Sequence, residues 1–147
     1  MMLETINSTF GLHKVDTRMY SPLALAFIGD SVFAAVVKTV VIEQGNCQAD
    51  KLHRYSAHLV RAESQALMYD LWMDTVSEEE AVVLKRGRNA KSVNTAKNAS
   101  VQDYRKATGV EALTGYLFLS GQEQRLCELI RAGVDAVYAK DVRDHGE

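Results

Sequence analysis

Two carboxylates stand where a helical pattern should carry something apolar. Asp30 lies in the middle of LALAFIGDSVFAAVV, where only Gly29 and Ser31 among its neighbours within a turn are not apolar, and Glu111 repeats the oddity in GVEALTGYLFL. Aspartate is a poor helix-interior residue, and a carboxylate is costly to bury unpaired. Neither run offers a Lys or Arg at i±3 or i±4. Such groups need a proton, an arginine from elsewhere or a metal, and carboxylate oxygens are what magnesium selects. The residues alone leave a plainer alternative open, in which each side chain bonds a neighbouring helix or faces solvent.

A second feature is electrostatic. Between Lys85 and Lys106 the chain holds seven basic residues against the single acid Asp103, a local balance of +6 in a chain of net charge −2, so the rest carries −8. A focused basic segment on an acidic body attracts phosphate even when the whole molecule does not. Its alternative is a solvated face. Other chemistries find no support: His13, His53, His58 and His145 show no H-x-x-x-H, and no G-x-S-x-G, Walker or dinucleotide glycine motif is present. Cys47 and Cys127 lack partner spacing and read as reduced, buried small side chains. Tyr55, Tyr69, Tyr104 and Tyr116 read as core aromatics with a polar tip.

The elements that must position these groups are helices. Ser21-Pro22 opens one that runs to Glu43 before Gly45, and it is unusually apolar. Two more span about Ala49 to His58 and Arg61 to Met73, with Leu59, Val60, Ala66, Leu67, Leu71 and Trp72 available to a core. Ser77-Glu78-Glu79-Glu80 is a capping box opening a short helix that should end before Gly87. Residues 87–100, rich in Gly, Asn, Ser, Thr and Lys, read as a polar loop. Ser100-x-x-Asp103 caps a helix to about Leu119, and Gly121 separates it from a last one near Gln122 to Tyr138. No segment alternates with period two, so the fold class is all-α, a helical bundle with no sheet, repeat or linker.

Composition agrees. At 147 residues, 47% hydrophobic and 24% charged, the chain suits one globular domain rather than a disordered segment or a membrane protein. The start, Met1-Met2-Leu3-Glu4, has no basic region followed by an apolar stretch, which predicts a protein that stays in the cytoplasm.

Leu23–Phe33, LALAFIGDSVF, resembles the signature helix of the ribonuclease III family, an apolar run ending in Leu-Gly-Asp-Ala/Ser-Val. Val110–Leu119, VEALTGYLFL, is similar to that family's second motif, and Leu59-Val60-Arg61 to the turn between them. The pieces come in order over about residues 20–120. With the segment Leu84–Ser92, LKRGRNAKS, the resemblance is closest to the short Mini-ribonuclease III branch, which lacks a double-stranded-RNA-binding domain. Only 36 residues follow Glu111, too few for that module.

The resemblance implies one ribonuclease III-like endonuclease domain over 1–147, homodimeric through the signature helix, with a C-terminal helix at about 122–140. It implies Asp30 and Glu111 as catalytic residues and ligands of Mg2+, with Mn2+ as a substitute, and hydrolysis of double-stranded RNA. Lys85, Arg86, Arg88, Asn89 and Lys91 are the candidate RNA contacts, and Leu23, Phe27 and Phe33 the apolar face for pairing. Processing of the large-subunit (23S) ribosomal RNA precursor, aided by a ribosomal protein, is the implied role. The full-length enzymes surround their metals with four carboxylates. Here the other two positions hold Ala26 and Thr108, and Glu63 is a candidate contributor from another helix. The rival reading is a catalytically inactive dimeric RNA-binding or ribosome-assembly factor.

Overall fold

Ser21 caps the long apolar helix as its type predicts: its Oγ accepts from the Ala24 N–H at 3.1 Å, and Pro22 takes the first helical position. The computed structural model describes residues 2–45, 47–91 and 100–145, and all regular structure among them is helical. In chain order the helices are α1 (Met2–Thr9), a 3-10 turn (Thr17–Met19), α2 (Pro22–Glu43), α3 (Ala49–Val60), α4 (Ala62–Met73), α5 (Glu78–Asn89), α6 (Val101–Leu119) and α7 (Glu123–Asp144).

Helix α6 is the axis of the bundle. It packs against α2, α4, α5, α7 and the 3-10 turn, and from Ala107 to Leu117 every residue except Glu111 is buried. A helix apolar on all sides belongs inside a fold. Around it close Phe33, Leu59, Met68, Trp72, Leu84 and Ile130, each with 1% exposure or less. The Trp72 indole N–H donates to the Leu129 carbonyl at 2.9 Å, so the largest side chain enters the core without an unmet donor. Helix α2 is long and apolar enough to cross a membrane by length and composition, yet one face lies along α6 and Asp30 interrupts it.

Several boundaries differ from those the sequence predicts. Helix α5 runs through Gly87 to Asn89. A Cβ at Gly87 would stand 2.7 Å from the Gly109 Cα, so this glycine lets α5 approach α6 closely instead of ending the helix. The polar loop assigned to 87–100 is therefore helical at its start, while 92–99 lie outside the described residues. Helix α7 continues six residues past Tyr138, to Asp144. The expected buried thiols are not buried: Cys47 is intermediate and Cys127 exposed, both free. Tyr55 is 50% exposed rather than in the core, whereas Tyr69 and Tyr116 are buried.

Candidate active site

Helices α2 and α6 cross with their backbones in contact, and two glycines make that possible. A Cβ at Gly29 would fall 1.7 Å from the Glu111 carbonyl oxygen, and one at Gly115 would fall 2.0 Å from that of Leu25. No other residue type fits either position without moving a helix apart. Glycine inside a helix costs about 1 kcal/mol relative to alanine, and here that cost permits a contact no side chain allows. Asp30 follows Gly29 directly, so this crossing brings its carboxyl group against that of Glu111, 81 positions later in the chain.

Within the pair the environments differ. Asp30 is exposed, which corrects the expectation of two buried carboxylates, and Glu111 is partly buried. Burial, then the Asp30 charge, then its hydrogen bond with Asp30 push the Glu111 carboxyl up to about 8, while a hydrogen bond from Gln65 opposes them. The Gln65 side chain, 1% exposed on α4, also donates from Nε2 to the Val60 carbonyl at 3.0 Å. Its Oε1 is buried without a partner. Pattern reading missed Gln65, since one amide in a helix of mixed polar and apolar residues carries no signal of burial.

Ala26 and Thr108, the two positions at which the resemblance implies further carboxylates, do not contribute charge. Ala26 is buried, and Thr108 turns its hydroxyl back to the Tyr104 carbonyl at 3.1 Å. Glu63 is exposed and lines a cavity of about 370 Å³ with His58, Lys140 and Asp141. There the His58 Nε2 meets the Asp141 Oδ2 at 2.8 Å, tying α3 to α7. Among the described residues no group of three or more His, Cys, Asp and Glu side chains stands together as a metal cage. The contacting carboxyl pair still fits a divalent cation. Its two like-charged oxygen ligands favour a proton in its absence, and magnesium is commonly held by one or two carboxylates with the rest of its shell water.

The basic residues gather at the end of α5. Lys85, Arg86, Asn89 and Lys91 are exposed, and the half-buried Arg88 guanidinium lies 5.9 Å from the centre of the Tyr69 ring. Arg88 and Asn89 line a groove of about 350 Å³ together with Gln102, Arg105 and Lys106 from the first turns of α6. Lys106 is paired with Asp70 at 2.9 Å. Arg105 and Lys106 count toward the basic segment in the sequence, but only the packing of α6 on α5 puts them beside Arg88. Exposed apolar residues collect elsewhere: Phe10, Met19, Leu23 and Phe27 are 73%, 77%, 41% and 82% exposed. Phe33, expected on that face, is fully buried in the core, because at 3.6 residues per turn it lies about a third of a turn around α2 from Phe27.

Known proteins resemble this chain over most of its length. The Ribonuclease III domain family matches residues 23–122. Mini-ribonuclease 3 of Brevibacillus brevis is 45% identical over 116 residues, spanning 79% of this chain and 87% of that protein. Mini-ribonuclease 3 of Clostridium tetani is 38% identical over 135 residues, spanning 91% and 89%. A crystal structure of a protein from Fusobacterium nucleatum superposes with a TM-score of 0.73 at 28% identity, covering 81% of this chain and 95% of that one. With both motifs crossing through Gly29 and Gly115 and the matched stretch taking in Asp30 and Glu111, the chain belongs to the ribonuclease III family, on its Mini-ribonuclease 3 branch.

Proposed function

We propose that this ribonuclease III-type endoribonuclease hydrolyses double-stranded RNA with a divalent cation, Mg2+ or in its place Mn2+, held by Asp30 and Glu111 as the catalytic pair. The observation that carries the reading is the contact of these carboxyls at a helix crossing built on two glycines. When bound, the cation supplies Lewis acidity that activates water and offsets charge at the scissile phosphate. Asp30 meets both the ion and the substrate, a role that its exposure supports. Glu111, held deeper against Gln65, fixes the other side of the pair and takes up a proton when no cation is present.

The duplex lies along the basic end of α5, on Lys85, Arg86, Arg88, Asn89 and Lys91, with Arg105 and Lys106 extending that edge. Recognition is by phosphate and 2′-hydroxyl contacts, since side chains cannot read the narrow A-form major groove. The whole chain acts as one catalytic domain, paired with a second copy through α2. Leu23 and Phe27, exposed on α2 at 41% and 82%, give an apolar face that supports the pairing. The setting is the cytoplasm and the substrate a 23S ribosomal RNA precursor, presented with a ribosomal protein.

Ala26 and Thr108 favour a second reading, a dimeric RNA-binding or ribosome-assembly factor that has lost hydrolysis. One experiment separates them: purified protein incubated with a long RNA duplex, with and without Mg2+. Magnesium-dependent shortening of the duplex supports the nuclease, whereas binding without cleavage at any Mg2+ or Mn2+ concentration leaves only the second reading.

A further inference from the structure

Gln65 has a conformation fixed on one side and an unmet need on the other. Its Nε2 donates to the Val60 carbonyl at the end of α3, and turning the amide over would set two carbonyl oxygens against each other. The same side chain also acts on the Glu111 carboxyl, opposing its upward shift, so Gln65 stands between the α3–α4 junction and the carboxylate pair. Its Oε1 is left buried and unpartnered, a condition native proteins rarely tolerate without water, ion or ligand to complete it. A residue that only closed the end of α3 would have no need to reach Glu111.

We propose that Gln65 is a positioning residue for the cation site: anchored on Val60, it holds the Glu111 carboxylate against Asp30 and presents Oε1 to the ordered water of that site. The inference rests on reading Asp30 and Glu111 as the cation-binding pair. Because Ala26 and Thr108 supply no charge, the orientation of the two remaining carboxylates depends on neutral neighbours, and Gln65 is a buried one that acts on Glu111. Partners of this kind are commonly worth 10- to 100-fold in metal affinity or activity.

The test is Gln65→Met, similar in length and volume but without donors, titrated with Mn2+ by calorimetry in the absence of RNA. Mn2+ binding should weaken by about tenfold or more. Single-turnover cleavage at subsaturating Mn2+ should fall in parallel, and duplex binding without metal should stay unchanged. If the variant does not fold, Gln65→Asn, which keeps an amide too short to bridge Val60 and Glu111, is titrated instead with the same loss expected. A folded variant that binds Mn2+ as the wild type does, whatever its melting temperature, overturns the proposal and leaves Gln65 a structural clamp. Asp30→Asn run in parallel distinguishes the two failures. If it loses Mn2+ binding while Gln65→Met keeps it, only the role of Gln65 is wrong; if Asp30→Asn also binds normally, the cation site itself is wrong.

Discussion

Glu80 and Glu111 are both glutamates on helices at the edge of the core, and their surroundings drive them in opposite directions. Glu80 accepts the Ser77 N–H at 2.9 Å within its capping box and two hydrogen bonds from Arg125 at 2.9 and 2.8 Å, which tie α5 to α7. The Arg125 guanidinium holds its carboxyl below the ordinary range. Glu111 has a second carboxylate for a neighbour, and burial together with that charge pushes it up to about 8. Glu80 is therefore satisfied by the protein alone, while Glu111 is left wanting a cation or a proton. Burial of a carboxylate does not distinguish structure from chemistry; the sign of its partner does.

The largest expected effect falls on the unsatisfied side of this comparison. Asp30→Asn keeps shape and volume but removes the charge that would hold magnesium. Single-turnover cleavage should drop by at least about a thousandfold, or roughly 4 kcal/mol of transition-state stabilisation, with folding and duplex binding retained. Thermal unfolding without metal should show the variant as stable as the parent or more so, since two like charges no longer meet. A folded Asp30→Asn protein that cuts at the parent rate would break the comparison outright.

On the satisfied side, Glu80→Gln should act on stability and spare chemistry. It leaves the Arg125 charge without its partner, and because that side chain is 34% exposed the loss should be about 1–3 kcal/mol, below the full cost of breaking a buried pair. Denaturant unfolding measures it, and cleavage per folded molecule should be unchanged. If cleavage fell and stability did not, the roles assigned to the two glutamates would be reversed.

Dependence on pH sharpens the same contrast. Glu111 binds its proton more tightly folded than unfolded, with its ordinary value of 4.5 raised to about 8. The metal-free protein therefore loses stability from this group as pH rises through that window, with the loss complete above 8. Glu80 is shifted downward, so its contribution is present above the ordinary carboxylate range and lost as pH falls below it. Glu111→Gln should flatten the first slope and Glu80→Gln the second, each read from melting temperature against pH. Mn2+ affinity should rise between about pH 6 and 8 as the competing proton leaves; affinity independent of pH there would count against Glu111 as a ligand.

The smallest effect per residue belongs to the basic edge. Replacing Arg86, Arg88 and Lys91 with Ala should weaken duplex binding and reduce its salt dependence by roughly 0.7 to 0.9 logarithmic units per lost phosphate contact. Cleavage at saturating RNA should persist. Should it fall as far as affinity does, the edge would be part of the catalytic centre and the separation of binding from chemistry would fail.

Local rules were enough for the all-α class, the Ser21, Ser77 and Ser100 caps, and the position of each helix from α2 onward to within a few residues at most ends. Caps and apolar spacing act over one or two turns, so neighbouring residues carry the whole signal. They also marked Asp30 and Glu111 as misplaced, because a carboxylate in an apolar run conflicts with its immediate surroundings. What they left open was anything that depends on which helices touch. Gly87 has the same local signature as a helix stop, and only its contact with Gly109 makes it a packing residue. Phe33 and Phe27 are six positions apart in one apolar run, yet one is fully buried and the other 82% exposed, since α6 covers only one side of α2. The meeting of Asp30 with Glu111, the burial of Gln65 and the placing of Arg105 beside Arg88 were decided by the tertiary structure. Each depends on a distance across the bundle, and spacing along the chain does not encode such distances.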